Sequence, residues 1–156
     1  MALTPYQAEL VAASEPTIQL ATQPITVRVV FNLPAHRAAV ARRGATPIRA
    51  FLNLENVTGA GTNGNYEVFI NTSSDAEPLY AGHLSTFGVA KASLPSDHHG
   101  GGGITTVLDI SALIGQLERE RGWDGHHLDV TIAPEEVLTE GDRPRLTIGR
   151  LSVFLE

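Results

Sequence analysis

The chain contains no cysteine among its 156 residues, and it has only one methionine and one tryptophan. The missing thiols exclude disulfides, thiolate zinc sites and cysteine nucleophiles together. A copper carrier would favour thiolate and thioether ligands, and the chain offers a single methionine for that role. The redox compartment stays open, because a protein without cysteine is compatible with both oxidising and reducing surroundings.

Positive charge is also scarce. Eleven Lys and Arg residues stand against seventeen Asp and Glu residues, which gives a net charge of -6, and no stretch gathers the basic residues into a phosphate-binding stripe. The longest apolar runs have the length of a strand, and the first residues lack the pattern of a secretory signal. We therefore expect neither a nucleic acid nor a membrane as partner.

Apolar residues that alternate with polar ones dominate the chain from Pro24 onwards, which is the pattern of half-buried β-strands. One segment, Ser111 to Arg121, has helical spacing instead. The sequence predicts a mainly β protein: an antiparallel β-sandwich or flattened barrel of about seven strands with one short α-helix. Residues 1–23 are expected to be a linker-like lead-in, and residues 24–156 the β-sandwich domain. The predicted strands are 25–31, 48–55, 66–71, 80–89, 104–110, 128–134 and 146–155.

Four local features refine this prediction. The turn-forming pair Asn63-Gly64 predicts a hairpin between the second and third strands, and Gly149, at a change of phase in the last strand, predicts a β-bulge. Pro34 to Gly44 is expected to be a loop with a helical turn. Ser93 to Gly103, with four consecutive glycines, is expected to be a mobile loop.

The order of these segments resembles the C-terminal β-domain that follows the dicopper catalytic domain in plant polyphenol oxidases and some bacterial tyrosinases. Tyr66 to Asn71 stands where that family has a Lys-Phe-Asp-Val type strand, but reads Tyr-Glu-Val-Phe. The loop at His98 and His99 lacks the family's Pro-His followed by lysines. Three further pieces match the family: Ala81-Gly82, Leu108-Asp109-Ile110 before the helix, and the closing Thr147-Ile148-Gly149. In that family the domain covers the active site, so the resemblance implies a role as a lid.

Histidines are present in the number that a dicopper site needs, but not in its pattern. Such a site takes six imidazoles, mostly from helices and with helical spacing. Here His36 and His83 are isolated, the other four form adjacent pairs, and the predicted helix carries none. His98 and His99 are weak candidates for binding a metal ion. No Gly-x-Ser-x-Gly elbow occurs. We expect no catalytic residues, no cofactor and no enzymatic activity.

Two aromatic residues break the strand alternation. Phe51 and Phe69 fall on the predicted polar faces of the second and third strands, which could expose an apolar patch unless a second layer or the lead-in covers it. Tyr80 and Phe87 complete the candidates for an interaction surface. Phe69 is favoured as the residue that covers a copper entrance, because it lies in the strand that matches the family.

The leading hypothesis is a non-catalytic lid or pro-domain that shields the active site of a tyrosinase-like catalytic domain, in cis or in trans, or assists its folding. The alternative is a stand-alone ligand-binding sandwich, for example for carbohydrate, in which Trp123 or Tyr80 would stack on the sugar. A structural subunit that oligomerises through an edge strand is a third possibility.

The purified domain is predicted to show no phenol oxidation, with or without added copper, because it lacks helical histidine pairs. Oxygen consumption with a catechol substrate checks this. Copper-dependent turnover by the pure domain would overturn the non-catalytic interpretation.

Overall fold

A computed structural model describes residues 8–14, 17–20, 22–43, 48–60, 64–73, 76–95, 101–136 and 145–156. These residues form ten strands and three helices. The strands are β1 (Glu9–Ala13), β2 (Ile18–Gln19), β3 (Ile25–Phe31), β4 (Ala50–Ala60), β5 (Tyr66–Asn71), β6 (Leu79–Leu84), β7 (Ile104–Asp109), β8 (His127–Pro134), β9 (Arg145–Ile148) and β10 (Arg150–Leu155). The helices are α1 (Leu33–Arg43), α2 (Val89–Ala92) and α3 (Ser111–Arg121).

The ten strands form one antiparallel sheet in the order β2-β9-β4-β10-β1-β3-β8-β5-β6, with β7 also paired to β4. The sheet curls until β6 approaches β7: a Cβ built on Gly82 would lie 2.8 Å from Cδ2 of Leu108. Within the described residues these two strands do not pair, so the sheet is not closed. The predicted mainly β, antiparallel architecture is confirmed, with more strands and helices than expected.

The inner face of the curled sheet holds the core. Leu52 and Leu54 of β4 and Val68 and Ile70 of β5 are fully buried, as their alternation predicts. Fully burying one such side chain contributes about 1.5–3 kcal/mol relative to leaving it exposed. The alternate positions point outwards, so residues such as Phe69 lie on the outer face of the sheet.

The lead-in segment enters the sheet, which differs from the expectation of a linker. Strand β1 pairs with β10 on one side and β3 on the other, and β2 pairs with β9. Val11, Ile18 and Leu20 are buried. The sequence pattern does not predict these strands, because β1 has five residues and β2 has two, which is too short for a clear alternation.

The predicted hairpin between the second and third strands is wrong. Strand β4 pairs with β10, β7 and β9, whereas β5 pairs with β6 and β8. Strand β4 continues to Ala60, through the residues that the sequence predicts to be a turn. Asn56 makes this possible, because it adopts a left-handed conformation with φ of 54° and lies in a bulge against β7. Asn63 lies outside the described residues.

The predicted irregularity at Gly149 is present. The strand is interrupted there, and the buried set changes from Leu146 and Ile148 to Leu151 and Val153. A Cβ on Gly149 would lie 3.1 Å from Cβ of Asn56, so the two irregular residues face each other across the ladder. Because both strands change phase together, the pairing keeps its register on either side.

The helices differ in how well they were predicted. The helix α3 is confirmed, with Ile114 and Leu117 buried and Gly122 ending it at φ of 62°. The helix α1 spans eleven residues in place of a loop with a helical turn; Asn32 caps it by accepting a hydrogen bond from the backbone amide of Ala35 at 3.2 Å. None of the helices in the described part of the chain is long and apolar enough to cross a membrane.

The predicted strand 80–89 ends at Leu84. A turn and the short helix α2 follow it, held by the buried Thr86 and Val89. Residues 96–100 of the predicted mobile loop lie outside the described residues, so that prediction stays a prediction.

The substitution Gly103→Ala is predicted to destabilise the fold, because Gly103 has φ of 81° and its new Cβ would lie 2.1 Å from the carbonyl oxygen of Val57. We expect a loss of at least about 2 kcal/mol in the free energy of unfolding, measured by urea denaturation. The matched control is Gly102→Ala, where a Cβ meets nothing within 4 Å and the change should stay within about 0.5 kcal/mol. Equal effects of the two substitutions would contradict this packing.

Candidate functional site

A turn at residues 85–88 presents the most exposed large apolar side chain among the described residues. Phe87 is 88% exposed, whereas Thr86, immediately before it, is 2% exposed. The Thr86 hydroxyl donates a hydrogen bond of 2.5 Å to the carbonyl oxygen of Gly64. The backbone amide of Phe87 donates to Oγ of Ser85 at 3.3 Å. The aromatic ring is therefore exposed on a backbone that is fixed on its N-terminal side.

The C-terminal side of this turn is fixed as well. Gly88 has φ of 78°, a conformation that glycine adopts at no steric cost. Val89 is fully buried and donates its backbone amide to the Thr86 carbonyl at 3.2 Å. We call residues 85–88 the Phe87 turn.

The helix α2 anchors the Phe87 turn to the centre of the sheet. The hydroxyl of Ser93 donates to the Val89 carbonyl at 2.7 Å and accepts from the backbone amide of Gly59, in β4, at 2.9 Å. The amide of Gly103 donates to the Ala92 carbonyl at 3.1 Å. These bonds connect the turn with the C-terminal half of β4 and the start of β7. Leu94, just beyond the helix, is 65% exposed and adds a second apolar side chain in this region.

Phe69 and Tyr80 are brought together on the outer face of the sheet. Strand β6 contains an irregularity that pairs Val68 with Gly82 but Phe69 with Tyr80, so Ala81 is the extra residue. The two rings pack edge to face with centroids 5.8 Å apart. Phe69 is half-buried, and Tyr80 is 54% exposed.

Phe51 lies on a different part of the outer face. Its ring neighbours Phe154 on β10, and the guanidinium of Arg49 lies over it at 5.1 Å. An open depression of about 320 Å³ adjoins it, lined also by Ala8, Asn53, Val107, Phe154 and Glu156. Phe51 and Phe69 both lie on the outer face, as their phase predicts, but on strands that do not pair.

The structure places the four aromatic candidates in three separate locations. Phe69 and Tyr80 form a pair, Phe51 borders the depression, and Phe87 lies on its own turn. Sequence reasoning missed the exposed Leu94 and Val107. It also read Phe87 as a strand residue, although the Ser85-Thr86 and Gly88 flanks are a turn signal.

The structure describes four of the six histidines. His98 and His99, the weak metal candidates, lie outside the described residues. His126 pairs through Nδ1 with Oδ2 of Asp124 at 2.9 Å, and Nε2 of His127 lies 3.1 Å from the carbonyl oxygen of Thr72. In the described ranges, no three His, Asp or Glu side chains are grouped as a metal site would require.

Trp123 is engaged in the protein's own packing. Its ring packs edge to face against Phe31 at 5.2 Å and His36 at 5.9 Å, and its Nε1 donates to the carbonyl oxygen of His127 at 2.7 Å. Burial lowers the pKa of His36. The indole is therefore a structural element at the junction of α1, α3 and β8.

Comparison with known proteins shows partial matches to tyrosinases and polyphenol oxidases. The chain is 29% identical over 127 residues to tyrosinase HcTyr1 of Hahella sp. (strain CCB-MM4), which covers 79% of this chain and 27% of that protein. Among solved structures, a recombinant latent aurone synthase, a polyphenol oxidase, matches with a TM-score of 0.55 and 18% identity over 92% of this chain and 26% of its own. A latent apple tyrosinase matches with a TM-score of 0.53 and 17% identity over 88% of this chain and 27% of its own.

The chain thus spans about a quarter of the length of the relatives it matches. At these identities the solved structures establish a shared fold. A share of this size is consistent with one C-terminal domain, and the resemblance to the C-terminal β-domain of polyphenol oxidases and tyrosinases is confirmed. The family model described as a domain of unknown function, DUF7868, matches residues 7–156, and the chain belongs to that family.

Proposed function

We propose that this protein is a non-catalytic lid domain that docks on a tyrosinase-like dicopper catalytic domain, in cis or in trans, and blocks access to its copper site. Three facts support the proposal. The chain matches only a quarter of a tyrosinase, two of the solved structures that share its fold are described as latent, and its own histidines lack the helical pairing of a dicopper site.

The observation that carries the proposal is the Phe87 turn. A lid needs an apolar side chain that projects far enough to enter a pocket and is held still before it binds, because ordering a flexible segment on binding lowers the affinity. Phe87 is 88% exposed, and the turn that carries it is held by the buried, hydrogen-bonded Thr86 and Val89. We infer that Phe87 is the occluding side chain, in place of the Phe69 that the sequence favoured.

Phe69 is poorly shaped for this task. Its ring is half-buried and already packs against Tyr80, so docking could bury little further area there. It also lies within the sheet, on β5 between β6 and β8, and not on a projecting turn.

The carbohydrate-binding alternative loses one of its two stacking residues. Trp123 packs against Phe31 and His36 and uses its N–H internally, which leaves Tyr80 as the exposed ring of that pair. The alternative in which an edge strand drives oligomerisation is also less favoured, because β6 and β7 lie against each other at the point where Gly82 meets Leu108.

The test is inhibition of the cognate catalytic domain by the added domain, measured as the initial rate of catechol oxidation against domain concentration. Burying one Phe contributes about 1.5–3 kcal/mol, so Phe87→Ser is predicted to raise the inhibition constant at least about tenfold. Phe69→Ser and the control Val30→Ser, which removes an exposed apolar side chain (61%) from another strand, should change it by about twofold or less.

A second variant separates the ring from the turn that holds it. Thr86→Val keeps Phe87 but removes the hydrogen bond to Gly64, so it should raise the inhibition constant by less than Phe87→Ser does. An unchanged constant for a folded Phe87→Ser variant would exclude Phe87 as the occluding residue. Failure of the unaltered domain to inhibit at all would refute the lid.

A further inference from the structure

A cavity of about 330 Å³ lies between the helices α1 and α3, away from the Phe87 turn. Its floor is apolar and is formed by Ile48, Ile114 and Leu155, the last of which comes from the C-terminal strand. A concave apolar surface with a few convergent polar groups is the usual form of a small-molecule site, and this volume lies at the small end of the range for such sites.

Two exposed side chains of opposite charge line this cavity. Glu118 and Arg119 are consecutive residues of α3, placed four residues after Ile114 and Gly115, so they share the face of the helix that borders the cavity. Within the described residues neither of them forms a salt bridge. Their charges are therefore available to a ligand.

Gly115 is what brings the cation to the cavity. A Cβ built on Gly115 would lie 2.9 Å from Nη1 of Arg119, so any larger residue would push the guanidinium aside. Glycine in the middle of a helix costs about 0.5–1 kcal/mol relative to alanine. The missing side chain at Gly115 leaves room for the guanidinium of Arg119 to lie against the helix.

The remaining polar side chains that line the cavity are Ser111 and His36. His36 packs edge to face against Phe31 at 5.6 Å, and burial lowers the pKa of His36, while the neighbouring Glu118 raises it and Arg37 lowers it. An imidazole with a lowered pKa is neutral at pH 7, so it adds no second positive charge beside Arg119.

We propose that this cavity binds an apolar α-amino acid as a zwitterion, with its carboxylate on Arg119, its ammonium on Glu118 and its side chain on the floor formed by Ile48, Ile114 and Leu155. Because both side chains are exposed, a ligand with a single charge gains one charge-assisted hydrogen bond, whereas a ligand with both charges gains two. A zwitterion satisfies both. The site is independent of the lid function, since it shares no residue with the Phe87 turn.

The experiment titrates the intact domain with L-phenylalanine by calorimetry and follows its thermal stability, which a ligand of the folded state raises. Two derivatives probe the charges without altering the protein: N-acetyl-L-phenylalanine lacks the ammonium, and L-phenylalanine amide lacks the carboxylate. Each should bind about two- to fivefold more weakly than L-phenylalanine, because each loses one charged contact with an exposed side chain.

Three variants locate the site. Arg119→Gln and Glu118→Gln should each weaken binding about two- to fivefold, and Gly115→Leu should abolish it by filling the cavity. The control is Glu120→Gln on the same helix, whose carboxylate is exposed and accepts a hydrogen bond from Gln116 at 3.0 Å; it should bind as the unaltered domain does.

Three results would overturn the proposal. The first is the absence of heat and stabilisation at about 10 mM L-phenylalanine, a concentration that would saturate even a weak site. The second is binding of either derivative as tight as that of L-phenylalanine, and the third is binding that Glu120→Gln reduces as much as Arg119→Gln. The derivatives keep the test decisive if a variant fails to fold.

Discussion

Strand β4 is the element on which the rest of the structure depends. It forms ladders with β10, β7 and β9, so residues far apart in the sequence meet along its eleven positions. Its bend at Asn56, with φ of 54°, faces Gly149 and lets both strands change phase without losing register. Because a one-residue slip would turn every inward side chain outwards, this matched pair of irregularities preserves the core on both sides of the bend.

The proposed functional surface depends on the same strand. The C-terminal half of β4 holds α2 through Gly59 and Ser93, and α2 in turn holds Val89 and the Phe87 turn. A ring exposed to solvent on a loop would normally be mobile, but here the hydrogen bonds of Thr86 and the burial of Val89 fix its backbone. The fold therefore holds Phe87 in an exposed position on a fixed backbone.

Much of the architecture could be predicted from local pattern. Neighbouring residues alone reveal a regular period or a break in it. Leu52 and Leu54 show the period of a strand, Ile114 and Leu117 that of a helix, and Gly149 marks a change of phase. The strands β1 and β2 could not be predicted in this way, because their positions depend on pairing with β10, β3 and β9. The hairpin was misread because a left-handed Asn56 lets a strand run through turn-forming residues.

The sites were harder to predict than the fold. Phe87 was assigned to the strand predicted over residues 80–89, although Ser85 to Gly88 carries the residues of a turn. The cavity beside α3 combines side chains from α1, from Ile48 and from the C-terminal strand, a set that only the folded chain brings together. The stripe from Ser111 through Gly115 to Arg119 was the one signal in the sequence that could have indicated it.

The most direct test of the lid is to replace Phe87 by the photoreactive p-benzoylphenylalanine and to irradiate the domain together with its cognate catalytic domain. The account predicts cross-links from position 87 to residues around the copper entrance, and few from the same probe at position 30. Cross-links from position 30 but not from position 87, or cross-links to a surface remote from the copper site, would contradict it.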